Sequence, residues 1–288
     1  MELRKAVFAG SWYPAEASAC EAEIEGFLEG EAATGPLQGQ WCAGIVPHAG
    51  WYYSGRIACR VIARLKGSRP PDLVVLFGMH LPPGATSSMM PMGAWETPFG
   101  PLPVAEALAR DLMQRFAFQE ETPRRYARDN TIELQLPFIK YLLDPGRILA
   151  IGVPPRAEAL AIGQAVVDWA ADQGQRLVVI GSTDLTHYGP DYGFTPRGTG
   201  SAALSWVRDK NDRRAVDAML RLAPEAVIEE GLTHQNACCA GAAATAIAAA
   251  KRMGADRAEL VAYATSHDLS PRDSFVGYAG IVLGRGNG

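Results

Sequence analysis

Asp72-Leu-Val-Val-Leu-Phe-Gly78 and Arg176-Leu-Val-Val-Ile-Gly-Ser182 each carry, after one charged residue, an unbroken apolar run with β-branched residues, closed by small residues. Runs of this kind read as strands buried on both faces, the signature of a parallel sheet covered by helices. Working outward, Ala43-Gly-Ile-Val-Pro47 is a strand before them and Ile148 to Val153 a strand between them. Glu259 to Thr265 and Phe275 to Leu283 are two more that close the chain. Helical patterns separate these runs, at about Gly55 to Leu65, Ala157 to Asp172, Asn211 to Leu222 and Cys238 to Arg252. Strands alternating with helices of this length predict an α/β fold, with a mostly parallel or mixed sheet flanked on both faces. With no repeat or low-complexity linker, one domain over residues 1–288 is the economical expectation.

Composition narrows the function classes. Hydrophobic residues make up 48% and charged residues 20% of the 288, and the net charge is −4. That balance is globular, and the absence of a basic stripe argues against nucleic acid. The longest apolar run, Ala237 to Ala250, is alanine-rich and shorter than a membrane span, so a buried helix is expected and no membrane. No signal-peptide core follows the N-terminus. Five irregularly spaced cysteines do not form a disulfide framework, and a reducing cytoplasm is the simplest setting.

The five histidines carry more information than their number. His48 lies just beyond the first strand, His80 beyond the second and His187 in the loop after Ser182. In open α/β sheets ligands collect outside the carboxyl ends of the strands, so these rings can meet in space. Imidazole is the commonest metal ligand and a ready proton carrier. Taken singly, each reads as a hydrogen-bonded loop residue; in matching positions they become candidate ligands. His234 and His267 read as structural. Asp184 precedes His187 by three residues and either orients an imidazole or caps a turn. Cys238 opens a small-residue helix, where the helix N-terminus favours a thiolate. Glu133 sits on the polar face of Asn130-Thr-Ile-Glu-Leu-Gln-Leu-Pro137, as a catalytic carboxylate or a capping acid. Trp51, Tyr52 and Tyr53 follow His48 and either wall a substrate pocket or anchor the loop in the core.

These segments together resemble the Memo family, called AmmeMemoRadiSam system protein B in prokaryotes. The resemblance starts at Arg4-Lys-Ala-Val-Phe-Ala-Gly-Ser-Trp-Tyr-Pro14 and continues through Pro47-His-Ala-Gly-Trp-Tyr-Tyr-Ser-Gly55, Gly78-Met-His80 and Trp95-Glu-Thr-Pro-Phe-Gly100. It goes on through Ile132-Glu-Leu-Gln-Leu-Pro137, Gly181-Ser-Thr-Asp-Leu-Thr-His-Tyr-Gly189, the Cys238 region and Gly277-Tyr-Ala279. It departs at Asp129-Asn130-Thr131, where the family commonly has Glu-His-Ser, and at Cys239 and His267, where relatives carry Gly. Cys239 leaves the ligand register open by one residue, with Cys238 preferred.

What the resemblance implies is a fold like that of class III extradiol dioxygenases, with metal ligands at His48, His80 and Cys238 and a pocket histidine at His187. On that basis a divalent metal is expected, iron(II) first, with copper or zinc as alternatives for a softer thiolate site. The partners expected are a small aromatic substrate or a peptide, and, through the family, AMMECR1-type and radical SAM system proteins. Three functional readings stand side by side. One is an iron(II)-dependent oxidoreductase in which His187 moves protons and Asp184 orients it. The second is a non-catalytic metal-binding scaffold that recognises a peptide or partner protein. The third is a zinc hydrolase with Glu133 or His187 as base.

Overall fold

Strands from both ends of the chain lie side by side in one central sheet, in a computed structural model that describes residues 1–29 and 40–286. In chain order the strands are β1 (Leu3–Arg4), β2 (Gln40–Val46), β3 (Leu73–Gly78), β4 (Ser87–Met89), β5 (Ala94–Trp95) and β6 (Leu102–Pro103). They continue with β7 (Phe118–Glu120), β8 (Arg147–Gly152), β9 (Leu177–Ser182), β10 (His187–Tyr188), β11 (Arg257–Thr265) and β12 (Phe275–Arg285). The helices are α1 (Ala17–Leu28), α2 (Arg56–Arg64), α3 (Glu106–Arg115), α4 (Asn130–Glu133) and α5 (Leu136–Phe138). After them come α6 (Ala157–Asp172), α7 (Ser201–Trp206), α8 (Asp212–Leu220), α9 (Pro224–His234) and α10 (Ala240–Arg252).

The main sheet runs β10-β12-β2-β9-β3-β8-β4-β7, with β11 on the other edge of β12. Its centre, β2, β9, β3 and β8, is parallel. Antiparallel pairing of β12 with β2 and of β4 with β8 makes the whole sheet mixed, within the α/β class expected. The three central apolar runs are buried along almost their whole length, as their continuous Val, Ile and Leu content requires.

Helices cover both faces. α10 lies across β9, β2 and β3 and packs on α6 and α9. Every residue from Ala240 to Ala250 is buried, and the alanine content lets the helix approach the strands closely. A Cβ on Gly181 would sit 2.8 Å from the Ala242 carbonyl oxygen and the Ala246 methyl, so only glycine fits there. On the opposite face α2 packs against β2, β11 and β12, with α1 outside it.

The predicted strands and the α6 helix agree with the structure to within a few residues at their ends. The other expected helices agree as closely, with two local differences. α8 lies just inside the expected Asn211 to Leu222, and a wide π-type turn over Val207–Asn211 joins it to α7. α10 begins at Ala240 rather than at Cys238, because the N–H groups of Cys238 and Cys239 turn to the Asp184 carbonyl and the Thr183 hydroxyl instead. α1, α3, α7 and α9 were not among the expected helices. The N-terminal Arg4 motif is structural: its guanidinium is buried, pairs with Glu121 and stacks on Trp95 and Tyr126 at 4.0 and 4.1 Å.

Candidate metal centre and its cavity

β2, β9 and β3 are adjacent and parallel, with Val46 opposite Ser182 and Gly181 opposite Phe77. Their carboxyl ends therefore finish at one level, and the residues that follow them converge there. His48 comes off β2, Thr183 and Asp184 off β9, and His80 off β3. Cys238 reaches the same point from the approach to α10, which crosses these strands on one face.

His48 is fixed at both its backbone and its ring. Its N–H donates to Asp184 Oδ1 at 2.7 Å, and its carbonyl accepts from Asn130 Nδ2 at 2.8 Å. Gln135 Nε2 holds the preceding carbonyl of Pro47 at 2.9 Å. The ring is buried, with Nδ1 3.0 Å from Ser182 Oγ and Nε2 3.2 Å from Cys238 Sγ. His80 is aimed by an unusual backbone. Met79 adopts a left-handed φ of 67°, a conformation costing about 1–2 kcal/mol for a non-glycine residue. Its N–H donates to Thr131 Oγ1 at 2.7 Å, and its side chain fills the space that a Cβ on Gly152 would occupy. The His80 ring stands edge-on to His48 with centroids 5.0 Å apart, and its Nδ1 lies 3.5 Å from Asp129 Oδ2.

Cys238 is clasped by Asp184. Its N–H donates to the Asp184 carbonyl at 3.1 Å, and the Asp184 N–H points at Sγ at 3.3 Å. Donor atoms of His48, His80, Cys238 and Cys239 all lie within 4.8 Å of one another. This donor set fits a metal: two imidazoles and a thiol from separate segments share a floor that offers no apolar reason for their meeting.

The ionisable groups of the cluster shift one another. Burial alone would raise the Cys238 thiol, but the Cys239 thiol hydrogen bond and the His48 and His80 rings together pull it well below its ordinary value. His80 is pushed up to about 10, first by Asp129 and then by Cys238. His48 also moves up, since Asp184 and Cys238 outweigh its burial. Burial raises Asp184 and, with the neighbouring Cys238, raises Cys239. The two adjacent thiols therefore move in opposite directions, Cys238 down and Cys239 up. The depression of Cys238 comes from its neighbours, in place of the helix terminus expected from sequence.

Above the cluster opens a cavity of about 610 Å³ lined by His48, His80 and His187 among others. Cys238 is reached from a separate, smaller cavity of about 300 Å³ that His80 also lines. His187 stands on the wall with its ring edge-on to Tyr192 at 5.1 Å and its Nδ1 3.3 Å from the Leu185 carbonyl. Asp184 lines the cavity too, but its hydrogen-bonded contact is His48 rather than the His187 ring. Tyr52 and Tyr53 form part of the wall.

Two predicted site residues are not brought to the cavity. Trp51 is 2% exposed, stacks on Phe138 at 4.1 Å and donates Nε1–H to the Leu134 carbonyl at 3.0 Å. It is a core anchor, because the π-type turn over Trp51–Gly55 turns Trp51, Ser54 and Gly55 inward and leaves Tyr52 and Tyr53 facing out. Glu133 is buried away from the cavity and accepts from the Phe8 N–H at 2.7 Å and the Tyr13 hydroxyl at 3.2 Å. A carboxylate so placed ties down the N-terminal segment and has no access to a substrate. Sequence reasoning missed Asp129, Ser182 and Asn130, which hold His48 and His80. The one available signal was Asp129 followed by Thr131, a helix cap whose carboxylate has a second face free for His80.

The profile of the Memo-like protein family matches residues 4–282. A MEMO1 family protein of Pyrococcus furiosus is 32% identical, covering 98% of this chain and 99% of that protein. Another from Methanopyrus kandleri is 33% identical, covering 99% of this chain and all of its own. Among solved structures, an uncharacterized protein from Escherichia coli K12 superimposes with a TM-score of 0.56 at 12% identity, over 84% of this chain and 99% of that one. That likeness is one of fold. A profile match over nearly the whole chain, with relatives above 30% identity end to end, places the protein in the Memo family.

Proposed function

We propose that this protein is a metal-dependent oxidoreductase of extradiol dioxygenase type, holding iron(II) through His48, His80 and Cys238 and receiving a small aromatic diol in the cavity above them. The observation that carries this reading is the position of the two imidazoles: both belong to the donor cluster and both line an open cavity. Iron(II), when bound, supplies Lewis acidity and one-electron redox chemistry. The remaining work falls to this chain's own side chains. Asp184 and Ser182 set the orientation of His48, and Asp129 that of His80. His187, on the cavity wall, is placed to take a proton from a substrate hydroxyl. Tyr52 and Tyr53 give a flat aromatic ring an apolar wall.

A zinc hydrolase using Glu133 as base finds no support, since that carboxylate is occupied by Phe8 and Tyr13. A metal-binding scaffold that recognises a peptide is the second reading. It is favoured by Tyr52 and Tyr192, both largely exposed at the cavity wall, where a longer ligand could lie.

The test is elemental analysis of anaerobically purified protein alongside His48→Ala and Cys238→Ala, followed by oxygen uptake with catechols. Iron near one per chain, lost in both variants, together with catechol-dependent oxygen uptake supports the oxidoreductase. Bound metal without uptake moves the case to the scaffold. A wild type that stays metal-free after reconstitution overturns the metal centre itself.

A further inference from the structure

Three donors suffice for the metal centre proposed above, yet four converge. The Sγ of Cys239 belongs to the group whose ligand atoms lie within 4.8 Å of one another. Cys239 Sγ is 3.9 Å from Cys238 Sγ, and Cys238 Sγ is 3.2 Å from His48 Nε2. A tetrahedral ion with sulfur at about 2.3 Å and nitrogen at about 2.0 Å sets its S···S edge at about 3.8 Å and its S···N edges at about 3.5 Å. Both observed distances already sit close to those edges. Adjacent cysteines seldom aim at one point, but here the backbone is held for it. The Cys238 N–H is fixed on the Asp184 carbonyl at 3.1 Å and the Cys239 N–H on Thr183 Oγ1 at 3.0 Å. The other polar contact of the Cys239 thiol is a long S–H···O interaction with the Met79 carbonyl at 3.5 Å, beside His80. A weak donor of that kind is readily exchanged for a metal bond.

We propose that Cys239 is a fourth ligand, so that this chain presents two imidazoles and two thiolates to a borderline or soft divalent cation. The inference rests on the metal centre proposed above and deepens it. On ligation the Cys239 thiol gives up its proton to the buffer and its sulfur lone pair to the metal, with no change of oxidation state. The consequence is a choice set by the ion. A six-coordinate ion such as iron(II) keeps two positions open beside the four donors, whereas a four-coordinate ion such as zinc keeps none. The identity of the bound metal then decides whether the cavity faces a reactive centre or a closed one.

The experiment is an anaerobic titration of the metal-free full-length protein with cobalt(II), read by the near-ultraviolet sulfur-to-cobalt charge-transfer band. Cys239→Ala, Cys239→Ser and Cys238→Ala are titrated in parallel, and zinc affinity is measured for each by chelator competition. The expected result is a band whose intensity per cobalt is about halved in each variant, with zinc affinity lowered by at least about tenfold. Wild-type intensity and zinc affinity retained in both Cys239 variants overturns the fourth ligand and leaves the three-donor centre standing. A wild type that binds no cobalt overturns both. Should the alanine variant fold poorly, the serine variant keeps the side-chain volume, and wild-type intensity against that of Cys238→Ala still counts two thiolates or one.

Discussion

The Asp184 carboxylate accepts the backbone N–H of His48 at 2.7 Å, so a residue just beyond β9 sets the position of one just beyond the neighbouring β2. The same residue holds Cys238 through its main chain, carbonyl to N–H at 3.1 Å and N–H to Sγ at 3.3 Å. Two donors from distant parts of the chain are thus fixed by the side chain of one residue and the two peptide groups that flank it. A rigid hinge of this sort makes a preformed ligand pair possible on loops.

Asp184→Ala is expected to lower metal affinity by roughly 10–100-fold, the usual effect of losing a residue that orients a ligand. It also leaves the buried His48 N–H without an acceptor, which costs about 1–3 kcal/mol of folding stability. Asp184→Asn keeps an acceptor and should recover most of the stability. Chelator competition and urea unfolding separate the two effects. Unchanged metal affinity in Asp184→Ala would show that the carboxylate does not position His48.

Asp212 gives the molecule a pH dependence away from the metal cluster. Its buried carboxylate accepts from the Thr186 N–H at 3.0 Å, the Thr186 hydroxyl and the Tyr263 hydroxyl at 2.7 Å. Burial outweighs these donors and raises the group to about 6 from an ordinary value of 3.8. A carboxyl raised in the folded state stabilises it fully below the unfolded value, and that contribution is lost as pH climbs through the folded one. Relative to Asp212→Asn, the wild type should therefore lose about 3 kcal/mol between about pH 4 and 6. Urea denaturation of both proteins across that window measures it, and a constant difference would mean that the carboxyl titrates normally.

Trp51 and Tyr52 are neighbours in sequence with opposite expected behaviour. Trp51→Ala removes a ring stacked on Phe138 and should cost about 3–5 kcal/mol. Tyr52→Ala, at an exposed position on the cavity wall, should stay within about 0.5 kcal/mol of wild type. It should instead weaken binding of a catechol probe. A stable Trp51→Ala protein with weakened probe binding would restore Trp51 to the pocket.

The parts legible in sequence are those governed by local pattern. The β3 and β9 runs announce buried strands because each residue is apolar, and the histidines beyond β2 and β3 can be placed because strand ends in such sheets point one way. His187 was placed by the loop after β9 and Cys238 by the start of a small-residue helix, and the resemblance is what singled both out. What stayed hidden depends on how loops cross in space. Asp129 reaches His80 only because Thr131 pins the turn to Met79, which no spacing rule encodes. Trp51 stayed open between pocket and core because adjacency to His48 says nothing about which way a side chain faces through a π-type turn. α10 starts two residues later than its small-residue run suggests because the Cys238 and Cys239 N–H groups turn to Asp184 and Thr183 instead.

Glu133 offers the sharpest contrast between a structural and a catalytic carboxylate. Its carboxylate holds the Phe8 N–H at 2.7 Å and the Tyr13 hydroxyl at 3.2 Å, joining the N-terminal segment to α4. Glu133→Ala should therefore reduce stability by about 1–3 kcal/mol through lost acceptors. Metal content should be unchanged, and any oxygen uptake under stabilising conditions should match wild type. Loss of a general base would produce the reverse pattern, a rate fall of about 10²–10⁴-fold in a protein of nearly normal stability. Unfolding curves and rates measured on the same preparation decide between them, because each hypothesis moves the quantity that the other leaves alone.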